Sequence, residues 1–184
     1  ISLCEGGILA SPSTLEFYYY LAIAYNQAED YNKLIEVVQA ALKVADETTP
    51  KELTSDFYAI MGDAFHSLGK TQELYQAYDK ALELNPENMG VLNNYAYYLS
   101  VEKKQLDKAE QMSKKTVDAE PSNATFLDTY AWILFELGRY TQAKVFIDTA
   151  LQHGGLESGV VVEHAGDIYW KVGEKDKALE LWVE

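Results

Sequence analysis

The sequence has few of the residues that several kinds of chemistry require. Its 184 residues include one cysteine, Cys4, which excludes an internal disulfide framework. No apolar run approaches the ~18 residues that a membrane-spanning helix needs. Lys and Arg number 15 against 29 Asp and Glu, for a net charge of −14. Because phosphate groups are bound by clustered cations, this balance argues against nucleic acid or an anionic membrane surface as the direct ligand.

Catalytic and metal-binding patterns are also scarce. The three histidines, His66, His153 and His164, are far apart in the sequence, and no Ser/His/Asp or Cys/His arrangement is indicated. Asp63 and His66 lie three residues apart, as two metal ligands on a helix would, but such pairs are common on helix surfaces. The sequence therefore predicts a protein that is not an enzyme and has no cofactor or metal site.

A small residue recurs along the chain at a nearly constant interval. These positions are Ala22, Gly62, Ala96, Ala131 and Gly166, at spacings of 40, 34, 35 and 35 residues. A large apolar residue follows each of them three positions later, at Tyr25, Phe65, Leu99, Leu134 and Tyr169. A repeat of about 34 residues predicts stacked helical hairpins, in which the small residues allow close approach of neighbouring backbones.

The spacing of apolar residues within each copy is helical. Residues 124–137 contain an i, i+3, i+4, i+7 stripe that consists of Leu127, Tyr130, Ala131 and Leu134. Glycines that suit a positive φ fall where the first helix of a copy must end, at Gly69, Gly138 and Gly173. No segment alternates with a period of two over a useful length, so strands are not expected.

The copy at 55–88 resembles the tetratricopeptide repeat (TPR) along its full length. The matching positions are Tyr58, Met61, Gly62, Phe65, Gly69, Tyr78, Ala81 and Pro86, whereas Leu74 stands where the family has alanine. Further copies are expected at 15–48, 89–123, 124–158 and 159–184, the last one truncated, with 1–14 as the end of a preceding repeat. About six extra residues around Thr49-Pro50-Lys51 are expected to lengthen the second helix of the first full copy or the turn after it.

The resemblance implies an all-α, right-handed superhelical solenoid of antiparallel helix pairs, forming a single array over 1–184 and acting in protein–protein interaction. In this family the first helix of each pair lines the concave face. The positions that would face a partner are Asp63, Asn93, Asn94, Tyr97, Asp128, Trp132, Phe135, Glu163, Asp167 and Trp170. Trp132 is out of register with the packing stripe of its own helix. The alternative is that these aromatic residues pack against the neighbouring repeat or against a missing capping helix.

The chemistry of these positions favours one kind of partner. They contain none of the Lys or Arg residues with which carboxylate-clamp members of the family hold chaperone tails. Aromatic rings beside carboxylates suit a protein or peptide segment with apolar anchors and a Lys or Arg. No membrane insertion by this segment is expected.

A structural role is the alternative to peptide binding. Both ends look cut from a longer protein, so terminal repeats would expose apolar surface and could self-associate, or the array could serve as a spacer. The segments 95–117 and 126–140 resemble bacterial multi-repeat TPR proteins, which favours a periplasmic or lipid-anchored envelope setting over the cytoplasm.

Overall fold

The computed structural model describes residues 1–183 and folds them almost entirely into helices. The α-helices are α1 (Ser2–Ala10), α2 (Leu15–Gln27), α3 (Tyr31–Val44), α4 (Lys51–Ser67), α5 (Thr71–Leu84), α6 (Met89–Val101), α7 (Leu106–Ala119), α8 (Ala124–Glu136), α9 (Tyr140–Gln152), α10 (Gly159–Val172) and α11 (Lys175–Val183). A short 3₁₀ turn lies at Gly155–Glu157. Residues 1–183 contain no β-strand, and the predicted all-α class is confirmed.

The helices form consecutive antiparallel pairs of the TPR type. Contacts are extensive within the pairs α2–α3, α4–α5, α8–α9 and α10–α11. The six additional residues do not lengthen α3, which ends at Val44. The insertion instead falls in the turn 45–50 and at the start of α4, which begins at Lys51. Within the described range, no helix is both long and apolar enough to cross a membrane.

The turns inside the pairs share one backbone design. Gly69, Gly138 and Gly173 all have positive φ, as expected for a left-handed helix terminus. In each of these turns the N–H of the next residue donates to a carbonyl five positions back, as Lys70 does to Phe65 at 2.9 Å. Glu29 adopts the same conformation without being a glycine, with a φ of 55°.

Contacts divide the chain into two units, each with its own core. The N-terminal unit comprises Ile1–Val91, and its buried cluster includes Leu21, Leu34, Val38 and Phe57. Cys4 is partly buried against this cluster. The C-terminal unit begins at Leu92, and its cluster includes Leu127, Leu134, Ile147 and Ile168.

The small residues of the repeat pattern lie at close contacts. Ala22, Ala96 and Ala131 are fully buried. A Cβ added at Gly62 would lie 2.6 Å from the ring of Tyr78, which is itself fully buried. Gly166 faces the indole of Trp182 with no room for a larger side chain. Helix backbones and rings therefore approach at the positions that the periodicity predicted.

Candidate functional site

Two cavities lie along first-helix residues of the C-terminal unit. The larger, the aromatic groove, has a volume of about 530 Å³ and is lined by Tyr97, Val101, Lys103, Trp132, Phe135, Glu136, Val160, Glu163, His164 and Asp167. The smaller, the amide pocket, has a volume of about 270 Å³ and is lined by Asn93, Asn94, Tyr97, Thr125, Asp128, Thr129, Ser158, Val160 and Val161. Tyr97 and Val160 line both, so the two cavities adjoin.

The start of α8 is fixed by an asparagine cap. The side-chain oxygen of Asn123 accepts hydrogen bonds from the backbone N–H groups of Thr125 and Phe126, at 3.1 and 3.3 Å. Such a cap pairs N–H groups that have no partner inside the helix. The cap and the buried stripe of α8 together orient the neighbouring side of the helix, where Asp128 and Trp132 lie.

A stack of rings forms one wall of the aromatic groove. Trp132 lies between Phe135, with centroids 4.7 Å apart and planes 12° from parallel, and His164, at 4.0 Å and 13°. The ring of Tyr97 lies 6.1 Å from that of His164. Trp132 therefore packs against the next first helix, α10, as the alternative expectation had it, and lines the groove as well. Its Nε1–H is buried and has no acceptor among the described residues.

Asp128 is held inside the wall and not on an exposed rim. Nδ1 of His164 lies 2.9 and 3.1 Å from the two carboxylate oxygens of Asp128. Only 5% of Asp128 and 7% of His164 is exposed. His164 was not among the predicted site residues, although it directly follows Glu163 on a first helix, at one of the positions that face the groove in this family. Val160 lies at another of these positions on the same helix and was not predicted either.

The other acidic residues make the groove electronegative. Burial raises the pKa of the Asp167 carboxyl, and the nearby charge of Glu163 raises it further, whereas His164 and Lys171 act in the opposite direction. The pKa of Tyr97 is raised by burial first, and then by the charges of Asp128 and Glu163. Burial is the main cause of both pKa shifts, and the neighbouring carboxylates of Asp128 and Glu163 add to it.

Two predicted site residues lie elsewhere. Trp170 is 43% exposed and packs at a tilt against Trp182, with centroids 5.8 Å apart. Lys175 lies 4.9 Å above its ring, and in the described structure Trp170 stands outside both cavities. Asp63 belongs to the N-terminal unit, where it accepts a hydrogen bond from the hydroxyl of Tyr78.

The N-terminal unit has a smaller cavity of its own. It has a volume of about 130 Å³ and is lined by Glu16, Tyr19, Tyr20, Leu53 and Asp56. Among residues 1–183 there is no cluster of three or more His, Cys, Asp or Glu side chains that could hold a metal ion. The cavities of both units instead combine aromatic surface with hydrogen-bond acceptors.

Solved structures share this fold. The chain superposes on the Pseudomonas aeruginosa PilF structure with a TM-score of 0.75 and 20% identity, covering 92% of this chain and 73% of that one. For PilW, a type IV pilus biogenesis factor, the TM-score is 0.77 at 15% identity, covering 91% and 76%. For YrrB, described as a TPR protein with an unusual peptide-binding site, it is 0.71 at 16% identity, covering 97% and 88%.

Sequence comparison identifies the family. The TPR repeat-containing protein MJ1428 of Methanocaldococcus jannaschii is 25% identical over 180 residues, and the match covers 90% of this chain but only 29% of that protein. The family model described as the cytochrome c-type biogenesis protein H TPR domain matches residues 55–153, more than half of the chain. This chain therefore belongs to the family of cytochrome c-type biogenesis protein H TPR domains.

Proposed function

We propose that this chain binds a segment of a partner protein in the aromatic groove, without carrying out chemistry on it. The observation that carries the proposal is the ordered stack of Phe135, Trp132 and His164 beside the carboxylates of Glu163 and Asp167. Aromatic residues held in place by packing give contact area at little cost in conformational entropy. They are the residues that most often dominate the energy of binding at interfaces.

The groove favours a segment with an apolar anchor next to a basic residue. Its volume of about 530 Å³ lies in the range of ~300–1,000 Å³ that is usual for ligand sites. The rings attract a cation through their faces, and the carboxylates speed the approach of a positively charged segment. The one cationic side chain among the described lining residues, Lys103, is paired with Glu136 at 2.9 Å.

The family supports the same function class. TPR domains are generally scaffolds for protein–protein interaction and are typically not catalytic. YrrB, which shares this fold, is described as having a peptide-binding site. These likenesses support a binding role for this chain, while the choice of segment rests on the lining of its own groove.

Two exposed valines offer a matched test. Val160 lines the groove and is 49% exposed, whereas Val145 on α9 is 60% exposed and lies away from both cavities. Peptides would be selected from a random displayed library on the 184-residue chain, and their affinities measured for Val160→Lys and Val145→Lys. We expect Val160→Lys to weaken binding at least ~10-fold and Val145→Lys to change it less than ~2-fold. Equal affinities for both variants would place the binding site elsewhere.

Self-association is a second candidate, favoured by exposed leucines on two helices. Leu3 and Leu9 on α1 are 87% and 85% exposed, and Leu179 on α11 is 50% exposed. Sedimentation velocity over a hundredfold concentration range would test it. A concentration-dependent dimer that disappears in Leu3→Gln/Leu9→Gln would support this role, and a monomer at all concentrations would refute it.

A further inference from the structure

The amide pocket contains a buried acceptor that lacks a donor. Asn93 is only 5% exposed, and its Nδ2–H donates to Oδ1 of Asn94 at 3.3 Å. This bond uses the amide nitrogen of Asn93. The other polar atom of the side chain, Oδ1, is buried and accepts no hydrogen bond from any residue in the described range. Folded proteins rarely leave a buried acceptor unpaired, because its desolvation is then not compensated.

The rest of the pocket adds acceptors and no fixed positive charge. Asp128 also lines the pocket, and its contact with His164 Nδ1 uses only part of the capacity of two carboxylate oxygens. The hydroxyls of Thr125, Thr129 and Ser158 can accept as well. None of the described residues that line this pocket is Lys or Arg. A ligand group that fits must therefore donate hydrogen bonds, and a positive charge on it would be favoured.

We infer that the amide pocket is a specificity subsite that takes the cationic side chain of the segment bound in the aromatic groove; this inference rests on the proposed function. The head group donates to Oδ1 of Asn93 and to the carboxylate of Asp128. The aliphatic stem lies against Val160 and the ring of Tyr97, the two residues that line both cavities. An apolar anchor in the groove and a basic residue in the pocket are thus bound side by side.

The shape of the head group distinguishes the two possible cations. A guanidinium is planar, carries five N–H donors and stacks on aromatic faces, whereas an ammonium is a compact point charge with three donors. Arginine can satisfy the asparagine and the carboxylate together while its plane rests on Tyr97. Lysine would reach one of them at a time, so the pocket favours arginine.

The test uses small probes on the whole 184-residue chain. Nα-acetyl-arginine amide, Nα-acetyl-lysine amide and the neutral analogue Nα-acetyl-citrulline amide would be titrated into ¹⁵N-labelled protein. We expect the arginine probe to shift the side-chain amide signals of Asn93 and to bind at least ~10-fold more tightly than the citrulline probe. Because the comparison is made on unmutated protein, it does not depend on the folding of any variant.

Matched variants then test the assignment to residues. Asn93→Leu and Asp128→Asn should each weaken the arginine probe about 10-fold, whereas Asn26→Leu, at an exposed asparagine on α2, should leave it unchanged. Equal affinity for the arginine and citrulline probes, or unchanged binding in a folded Asn93→Leu protein, would overturn the inference.

The selected peptides separate this inference from the proposed function. Suppose that peptides bind and that Val160→Lys releases them, while replacing their arginine by citrulline has no effect. That result would support binding in the aromatic groove and contradict the arginine subsite. If no peptide is selected and no probe binds, both the proposed function and the subsite are wrong. A lysine probe that binds more tightly than the arginine probe would overturn the preference for guanidinium.

Discussion

The imidazole of His164 lies parallel to the indole of Trp132, with the ring centroids 4.0 Å apart, and its Nδ1 also contacts the carboxylate of Asp128. One side chain on α10 thus holds both an aromatic wall residue and an acidic residue that belong to α8. The same contacts that shape the groove also stabilise the C-terminal unit. Mutations in the groove are therefore expected to change stability and binding together.

Removal of His164 is expected to lower the free energy of unfolding by more than the loss of its packing contacts alone would. In His164→Ala the Asp128 carboxylate would remain buried without a partner, so we expect the free energy of unfolding to fall by about 3 kcal/mol. In Asp128→Ala/His164→Ala that penalty disappears, and the double variant should lose less than the sum of the two single losses by about 1 kcal/mol or more. Urea unfolding of the four proteins gives the coupling energy, and strict additivity would contradict a direct pairing.

Trp132 should prove to be a structural residue as well as a groove residue. Trp132→Ala removes the middle ring of the stack, and we expect unfolding to become easier by about 2 kcal/mol or more. Trp132→Phe keeps a ring there and removes the unpaired Nε1–H, so a loss of under about 1.5 kcal/mol is expected. Thermal or urea melts of both variants would decide, and equal losses would show that stacking contributes little.

The repeat period was sufficient to predict the helix pairs, because one packing contact recurs at the same place in each copy. The turns were predicted less completely. Glycine marks the positive φ at three of them, but Glu29, Lys103 and Gln105 take the same backbone region without being glycine. The start of α4 could not be predicted either, because the helix begins at Lys51, in a stretch where apolar residues do not recur at helical spacing.

The candidate site was predicted as a set of positions but not as a set of contacts. Helical spacing shows that Trp132 leaves the stripe of its own helix, yet it cannot show which residue meets it from the next repeat. His164 is 36 residues beyond Asp128, and their contact depends on how α8 and α10 pack. That contact buries Asp128, although its position in the repeat alone predicted a side chain facing a partner. Partner binding by any of these residues remains a prediction.

Two glycines of the N-terminal unit should respond in opposite ways to the same change. Gly62→Ala would place a methyl group 2.6 Å from the Tyr78 ring, which is buried and hydrogen-bonded to Asp63, so it cannot move away easily. We expect a loss of about 1–3 kcal/mol. Gly6 in α1 has open space around its Cβ position, and Gly6→Ala should add about 0.5–1 kcal/mol. A urea midpoint for Gly62→Ala equal to or above that of the parent would show that Gly62 is not a close contact.

Asp167 should weaken the fold at neutral pH. Its folded-state pKa is raised by burial and by Glu163, so folding favours the protonated form. That preference is fully present below the unfolded pKa of about 3.9 and is lost as pH rises through the folded pKa. Asp167→Asn should therefore be more resistant to urea than the parent at pH 7, with a smaller difference at pH 3, while Glu180→Gln at an exposed site of α11 should change little. An equal gain at both pH values would show that charge is not the cause. Weaker binding of basic peptides by the stabilised variant would show that the carboxylate is kept for binding at a cost in stability.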